Sequence, residues 1–106
     1  MFARTSLWSG SQETLEAWAE HASVKVKALL EGLGPQAGNV GYVFLIDRAH
    51  GRGLTLTLWA SEQAALASDQ TAEQSRASTQ QATGIELQER GRWQVLASSL
   101  QSGSRP

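Results

Sequence analysis

The run GNVGYVFLIDRAHGRGLTLTLWAS, residues 38–61, constrains the fold more than any other stretch. Its first half is apolar almost without a break: Val40, Tyr42, Val43, Phe44, Leu45 and Ile46. Its second half alternates, with Leu54, Leu56 and Leu58 set against Thr55, Thr57 and Trp59. Successive side chains of a strand point to opposite faces, so the pattern predicts two strands. The turn between them falls in 47–53, where an aspartate and two glycines tolerate turn dihedrals. A continuous apolar strand is buried on both faces, which places the hairpin in the middle of the fold.

Residues 2–8, FARTSLW, form a short strand with Phe2, Arg4, Ser6 and Trp8 on one face and Ala3, Thr5 and Leu7 on the other. Residues 11–33 read as one helix. Ser11 is its N-cap and Glu13 lies in its first turn. Leu15, Trp18, Ala19, Ala22, Val26, Leu29, Leu30 and Leu33 recur at three and four, and Gly34 and Pro35 stop the helix. Ser61 caps a second helix, and Asp69 caps its continuation, or another helix after a bend, to Gly84. Between residues 68 and 83 no apolar side chain exceeds alanine. Such a helix either rests on a thin Ala/Ser/Thr face or is partly mobile. Residues 85–97 supply the last strand, with a bulge expected at Gly91. Residues 98–106 read as a loose polar tail.

The order β-α-β-β-α-β over residues 1–97 predicts an α+β, ferredoxin-like domain. Its four-stranded antiparallel sheet has strands one and three at the centre and both helices on one face. Two helices cover only one face, yet both carry bulk. A second copy packed sheet to sheet is the expected cover, giving a two-fold homodimer and an α/β barrel.

Composition excludes several classes. The formal net charge is −1 with no basic block, which argues against nucleic acid. Cysteine is absent, so thiolate chemistry and disulfides are out. No apolar run approaches the ~20 residues of a membrane helix. No charged and then apolar leader follows Met1, and a cytoplasmic location is the default expectation.

The residues Asp47-Arg48-Ala49-His50-Gly51, then Leu54-Thr55-Leu56-Thr57-Leu58-Trp59-Ala60-Ser61, then Ala64 and Ala65, resemble the dimeric α/β-barrel superfamily. Within it they are similar to antibiotic-biosynthesis-monooxygenase-like domains. Ala3-Arg4, Gly10 and Trp93-Gln94-Val95 extend the resemblance over most of residues 2–97. It implies a dimer with a pocket in each subunit between sheet and helices. Some members are cofactor-independent oxygenases of aromatic polyketide-type substrates; others degrade haem. Trp59 matches the tryptophan of the haem-degrading branch. The first-strand asparagine is replaced by Ala3, and no histidine follows Trp59, so that activity is not implied here.

Trp59 is the first candidate, to stack on or position an aromatic ligand; its bland alternative is a core residue closing the sheet onto the second helix. Thr5 and Thr57, with Thr55, would offer hydroxyls to a pocket lined by Leu15, Trp18 and Ala22, provided they face the helices. Tyr42 could donate a proton or hydrogen bond there, or fill the dimer interface. His21 is the candidate base, though it lies off the apolar stripe of its helix. His50, in the turn, has no partner at metal-ligand spacing, and no cofactor motif or metal set is legible. Arg4, Glu89, Arg90 and Arg92 are read as cross-strand or inter-subunit ion pairs on outer strands. The expected function is binding of an apolar or aromatic small molecule, extending to cofactor-free monooxygenation. The alternative is a non-catalytic ligand-binding or structural dimer. A side-chain-lined cavity of about 300 Å³ beside Trp59 would favour the first.

Overall fold

A computed structural model describes residues 1–99 of the 106. The elements are β1 (Phe2–Ser9), α1 (Gln12–His21), a π-helical turn (Ala22–Val26), α2 (Lys27–Leu33), β2 (Asn39–Asp47), β3 (Arg52–Trp59), α3 (Glu62–Ala67), α4 (Asp69–Thr83) and β4 (Glu86–Gln94). All neighbouring strands run antiparallel in the order β2-β3-β1-β4. This is the expected α+β, ferredoxin-like sheet with strands one and three central. From residue 100 on, the expected tail lies outside the described residues. Among the described residues no helix is long and apolar enough to cross a membrane.

The caps form where their residue types predict. Ser11 Oγ accepts from the backbone N–H of Thr14, and Ser61 Oγ accepts from that of Ala64. Gly84 ends α4 in the left-handed region at φ 75°. The predicted long helix is interrupted: a π-helical turn divides α1 from α2. Such turns carry one extra residue and re-aim the side chains that follow.

Register decides what reaches the helices. Arg4 pairs with Thr57, Ser6 with Thr55 and Trp8 with Gly53, all on the helix-covered face. Ala3, Thr5 and Leu7 pair with Leu58, Leu56 and Leu54 on the other. On the covered side Trp8, Leu15, Trp18, Ala22 and Ile85 form the buried core. Gly53 is what lets Trp18 lie flat: a Cβ there would stand 2.5–2.9 Å from three atoms of its six-membered ring.

Two expectations are corrected. The apolar strand β2 lies at an edge of the sheet, not in its middle, and only one of its faces is covered. Tyr42, Phe44 and Ile46 share the helix side with Thr57, Thr55 and Gly53, while Val43 and Leu45 are 41% and 50% exposed on the other. The bulge in β4 falls opposite Leu7 and Trp8, not at Gly91. Gly91 instead leaves room for an indole. A Cβ there would stand 2.5 Å from Trp93 Nε1, which donates at 2.9 Å to Thr5 Oγ1.

Candidate functional site

Where α4 crosses the sheet its small side chains leave space. Thr71, Ala72, Ser75 and Thr79 face Trp8, Trp18 and Trp59 without filling the gap, and a cavity of about 60 Å³ remains. The polar helix thus rests on a thin contact face, one of the two outcomes its composition allows. Val26, Leu29, Leu30 and Leu33, from the π-helical turn and α2, form the apolar wall, with Leu29 still 38% exposed. The space is well short of the 300 Å³ expected of a preformed small-molecule site.

The sheet supplies a polar floor. Thr57 Oγ1 accepts from Trp59 Nε1 at 2.9 Å, and Thr55 Oγ1 accepts from Trp8 Nε1 at 3.5 Å. Each threonine keeps its own hydroxyl proton to donate. Trp18 Nε1 is buried and has no partner among the described residues. A buried indole N–H without an acceptor is a standing cost, removed by any ligand oxygen that reaches it.

Arg4 closes one end. Its guanidinium donates to Ser68 Oγ at 2.7 Å, to the Ala65 carbonyl at 2.6 Å and to Asp69, and it lies 5.6 Å from the centre of the Trp59 ring. That distance suits a cation–π contact. Burial lowers the Arg4 pKa from its ordinary value, and the bond to Asp69 opposes that shift. For Asp69, burial acts to raise the pKa, but the bonds from Arg92 and Arg4 outweigh it and hold the carboxyl below its usual range. Arg4 was expected among ion pairs of outer strands; it lies buried on a central strand, inside the cavity wall. The signal was present, because Arg4 shares strand parity with Trp8, a ring large enough to demand the covered face.

Of the residues singled out in the sequence, Trp59, Thr57 and Trp18 meet at the cavity. Leu15 and Ala22 are buried in the adjoining core and do not line it. Thr5 faces away, on the open side of the sheet beneath Trp93. Tyr42 lies on the helix side but at the edge strand, where its hydroxyl donates to Glu31 Oε2 at 2.8 Å; that bond raises its pKa. His21 is half-buried on α1 away from the cavity, its pKa lowered by burial and by Lys25. His50 Nδ1 lies 2.9 Å from Asp47 Oδ2 in the hairpin turn. Ser6, Ser68, Ser75, Thr71, Thr79 and Arg76 also reach the cavity. Small polar residues of a helix carry no pattern that distinguishes a cavity wall from a wet surface. Among the described residues no group of three or more His, Asp or Glu side chains converges as a metal site.

No family model and no curated protein matches the chain. Solved structures share its fold. A dimeric ferredoxin-like protein from an uncultured marine organism superposes with a TM-score of 0.69 at 10% identity, over 94% of this chain and 98% of that one. A monooxygenase of Streptomyces coelicolor, solved in complex with nanaomycin D, superposes with a TM-score of 0.70 at 14% identity, over 94% and 91%. The resemblance to antibiotic-biosynthesis-monooxygenase-like domains therefore holds at the level of the fold.

Proposed function

We propose that this chain forms a homodimer through its open sheet face and binds a flat, electron-rich hydroxyaromatic between sheet and helices, oxygenating it with O₂ and no cofactor. The observation that carries the reading is the cavity itself: three indole rings around one space, with the Trp18 N–H left without an acceptor among the described residues. The S. coelicolor protein solved with nanaomycin D supports it by analogy of fold.

The ligand-free space is small, so binding includes movement of a wall. The π-helical turn and α2 are the elements suited to it. Across them only Ala22 and Leu30 are buried, and Leu29 stands partly exposed at the cavity. Elements with few buried apolar contacts open at low cost.

In the reaction a ring-activated CH₂ becomes a C=O. One oxygen atom of O₂ enters the product and the other leaves as water with the two hydrogens. The electrons come from the substrate, so the protein has three tasks: orientation, exclusion of water, and stabilisation of the substrate oxyanion. Arg4 beside Trp59 supplies the positive charge that lowers a bound hydroxyl's pKa.

The non-catalytic reading has two supports, the first being a cavity well short of about 300 Å³. The second is that none of the described residues lining the cavity is a histidine, carboxylate, lysine or tyrosine able to act as a base near neutral pH. Two measurements separate the readings. Titration with 1-naphthol quenches tryptophan emission if the cavity accepts aromatics, and an unquenched spectrum overturns both. Oxygen uptake with 1,8-dihydroxyanthrone above its background rate, lost in Trp59→Ala, marks the oxygenase. Quenching with uptake at background leaves the binder.

A further inference from the structure

Beside the apolar cavity, between α4 and β4, lies an open cleft of about 270 Å³. Three residues of α4 and three of β4, Gly91 among them, line it with Arg4. Asp69, Glu73 and Arg76 recur at four and three along the helix and share its face. Arg90 and Arg92, two apart on the strand, share the helix side of the sheet. Arg92 stands directly opposite Arg4 in the β1–β4 register. Like charges so placed repel. Asp69 relieves them: Arg92 Nη2 donates to its two oxygens at 2.7 and 2.8 Å, and Arg4 donates to it as well. Glu73 is shared in the same way, with Arg90 at 3.0 Å and Arg76 at 3.2 Å.

Four guanidiniums against two carboxylates leave two positive charges over, in a chain whose net charge is −1. The excess is local, and one buried donor in it has no partner among the described residues. The Arg76 side chain is only 12% exposed, and its Nε is buried with no partner among the described residues. Arg76 and Arg4 line both the cleft and the cavity, so the two spaces meet at their guanidiniums.

We infer that the ligand is an aromatic acid. Its ring system occupies the cavity, and its carboxylate lies in the cleft, accepting from Arg76 Nε. This deepens the reading of the cavity and rests on it. A carboxylate satisfies the free donor and also offsets part of the excess charge; a neutral ligand oxygen can do only the first. A guanidinium N–H against a carboxylate is a charge-assisted bond, stronger than one to a neutral oxygen.

The test compares 6-hydroxy-2-naphthoate with 6-hydroxy-2-naphthamide, of equal shape, by tryptophan fluorescence and calorimetry. The acid is expected to bind about ten-fold tighter at low salt, the size of one charge-assisted contact in a partly wet cleft. The advantage shrinks as salt rises toward 0.15 M, where the Debye length is about 8 Å. Arg76→Gln removes the advantage, and Arg48→Gln, at the hairpin turn, keeps it. Should Arg76→Gln fail to fold, the exposed pair Arg90→Gln and Arg92→Gln lowers the same ratio by removing the cleft's charge. Equal binding of acid and amide overturns this inference and leaves the cavity reading intact. An advantage that survives all three cleft substitutions overturns the assignment to the cleft. No binding of either probe overturns both readings.

Discussion

The guanidinium of Arg4 lies 5.6 Å from the centre of the Trp59 ring, and the same group holds Ser68, Ala65 and Asp69 on the helices above. A buried cation on a central strand thus ties sheet to helix at the end of the cavity. Arg4→Met removes the charged donor from Ser68, Ala65 and Asp69, although Ser68 Oγ still donates to the Ala65 carbonyl and Arg92 to Asp69; it is expected to destabilise the fold by about 2–3 kcal/mol, the range for hydrogen bonds to a charged group. Arg4→Lys keeps the charge but cannot reach three acceptors lying in different directions, so its urea midpoint falls between the two. Equal midpoints for Met and Lys would show that packing, not bonding, decides the position.

Asp69 makes this junction sensitive to acid. Its pKa is held below the ordinary carboxylate range in the folded chain, so the unfolded chain takes up the proton first as pH falls. The stabilisation is present above the unfolded value, about 3.9, and is lost as pH drops through the folded one. Asp69→Asn is therefore less stable than the native chain at pH 7, by a margin that is smaller at pH 3. Urea unfolding at the two pH values reads this directly. A gap undiminished at pH 3 would place the effect outside the carboxylate's charge.

The element order and the central position of β1 and β3 were legible because periodicity and caps are local signals. Trp59, Thr57 and Trp18 were legible at the site because each is bulky or sits in strict alternation with bulk. Three things were not. The apolar run of β2 reads as a fully buried strand, yet the strand is an edge; pattern reports that apolar faces exist, not what covers them. Arg4 reads as an outer-strand ion pair because, in a strand candidate of residues 2–8, charge outweighs parity. The α4 wall was silent because Ala72, Ser75 and Thr79 gain their meaning only from the three indoles opposite.

Gly53 tests how tightly the Trp18 ring is held. Its Cα stands under that ring, and any Cβ would overlap ring carbons that are themselves fully packed. Overpacking of this kind costs about 1–3 kcal/mol. Gly53→Ala is expected to lose that much in urea and to alter the near-ultraviolet circular dichroism of the tryptophans. A variant as stable as the parent, with an unchanged spectrum, would mean that the ring moves freely.

The open face of the sheet carries Val43, Leu45 and Trp93, all more than 40% exposed, beside Leu7, Leu54 and Leu56. A contiguous apolar surface of this kind is the proposed dimer interface. Sedimentation is expected to give twice the chain mass of 11.4 kDa for the native protein. Leu45→Glu puts a charge at a half-exposed site, where the isolated chain tolerates it and an apolar interface does not. It is expected to sediment as a single chain with unchanged far-ultraviolet circular dichroism. A native protein that sediments as one chain at micromolar concentration ends the barrel proposal.

The small face of α4 sets stability against binding. Ala72 borders the cavity opposite the indoles, and a leucine there extends three more carbons into the space. Filling such space commonly adds about 0.5–2 kcal/mol where the new side chain meets no clash. The same carbons occupy the volume a ligand ring would enter. Ala72→Leu is therefore expected to raise the urea midpoint while abolishing the quenching by 1-naphthol. Ala72→Ser, of nearly unchanged size, leaves both close to the native values. The opposite signs are what matter: a variant that is more stable and still binds would place the ligand elsewhere, and one that loses both would show a wall already packed to its limit.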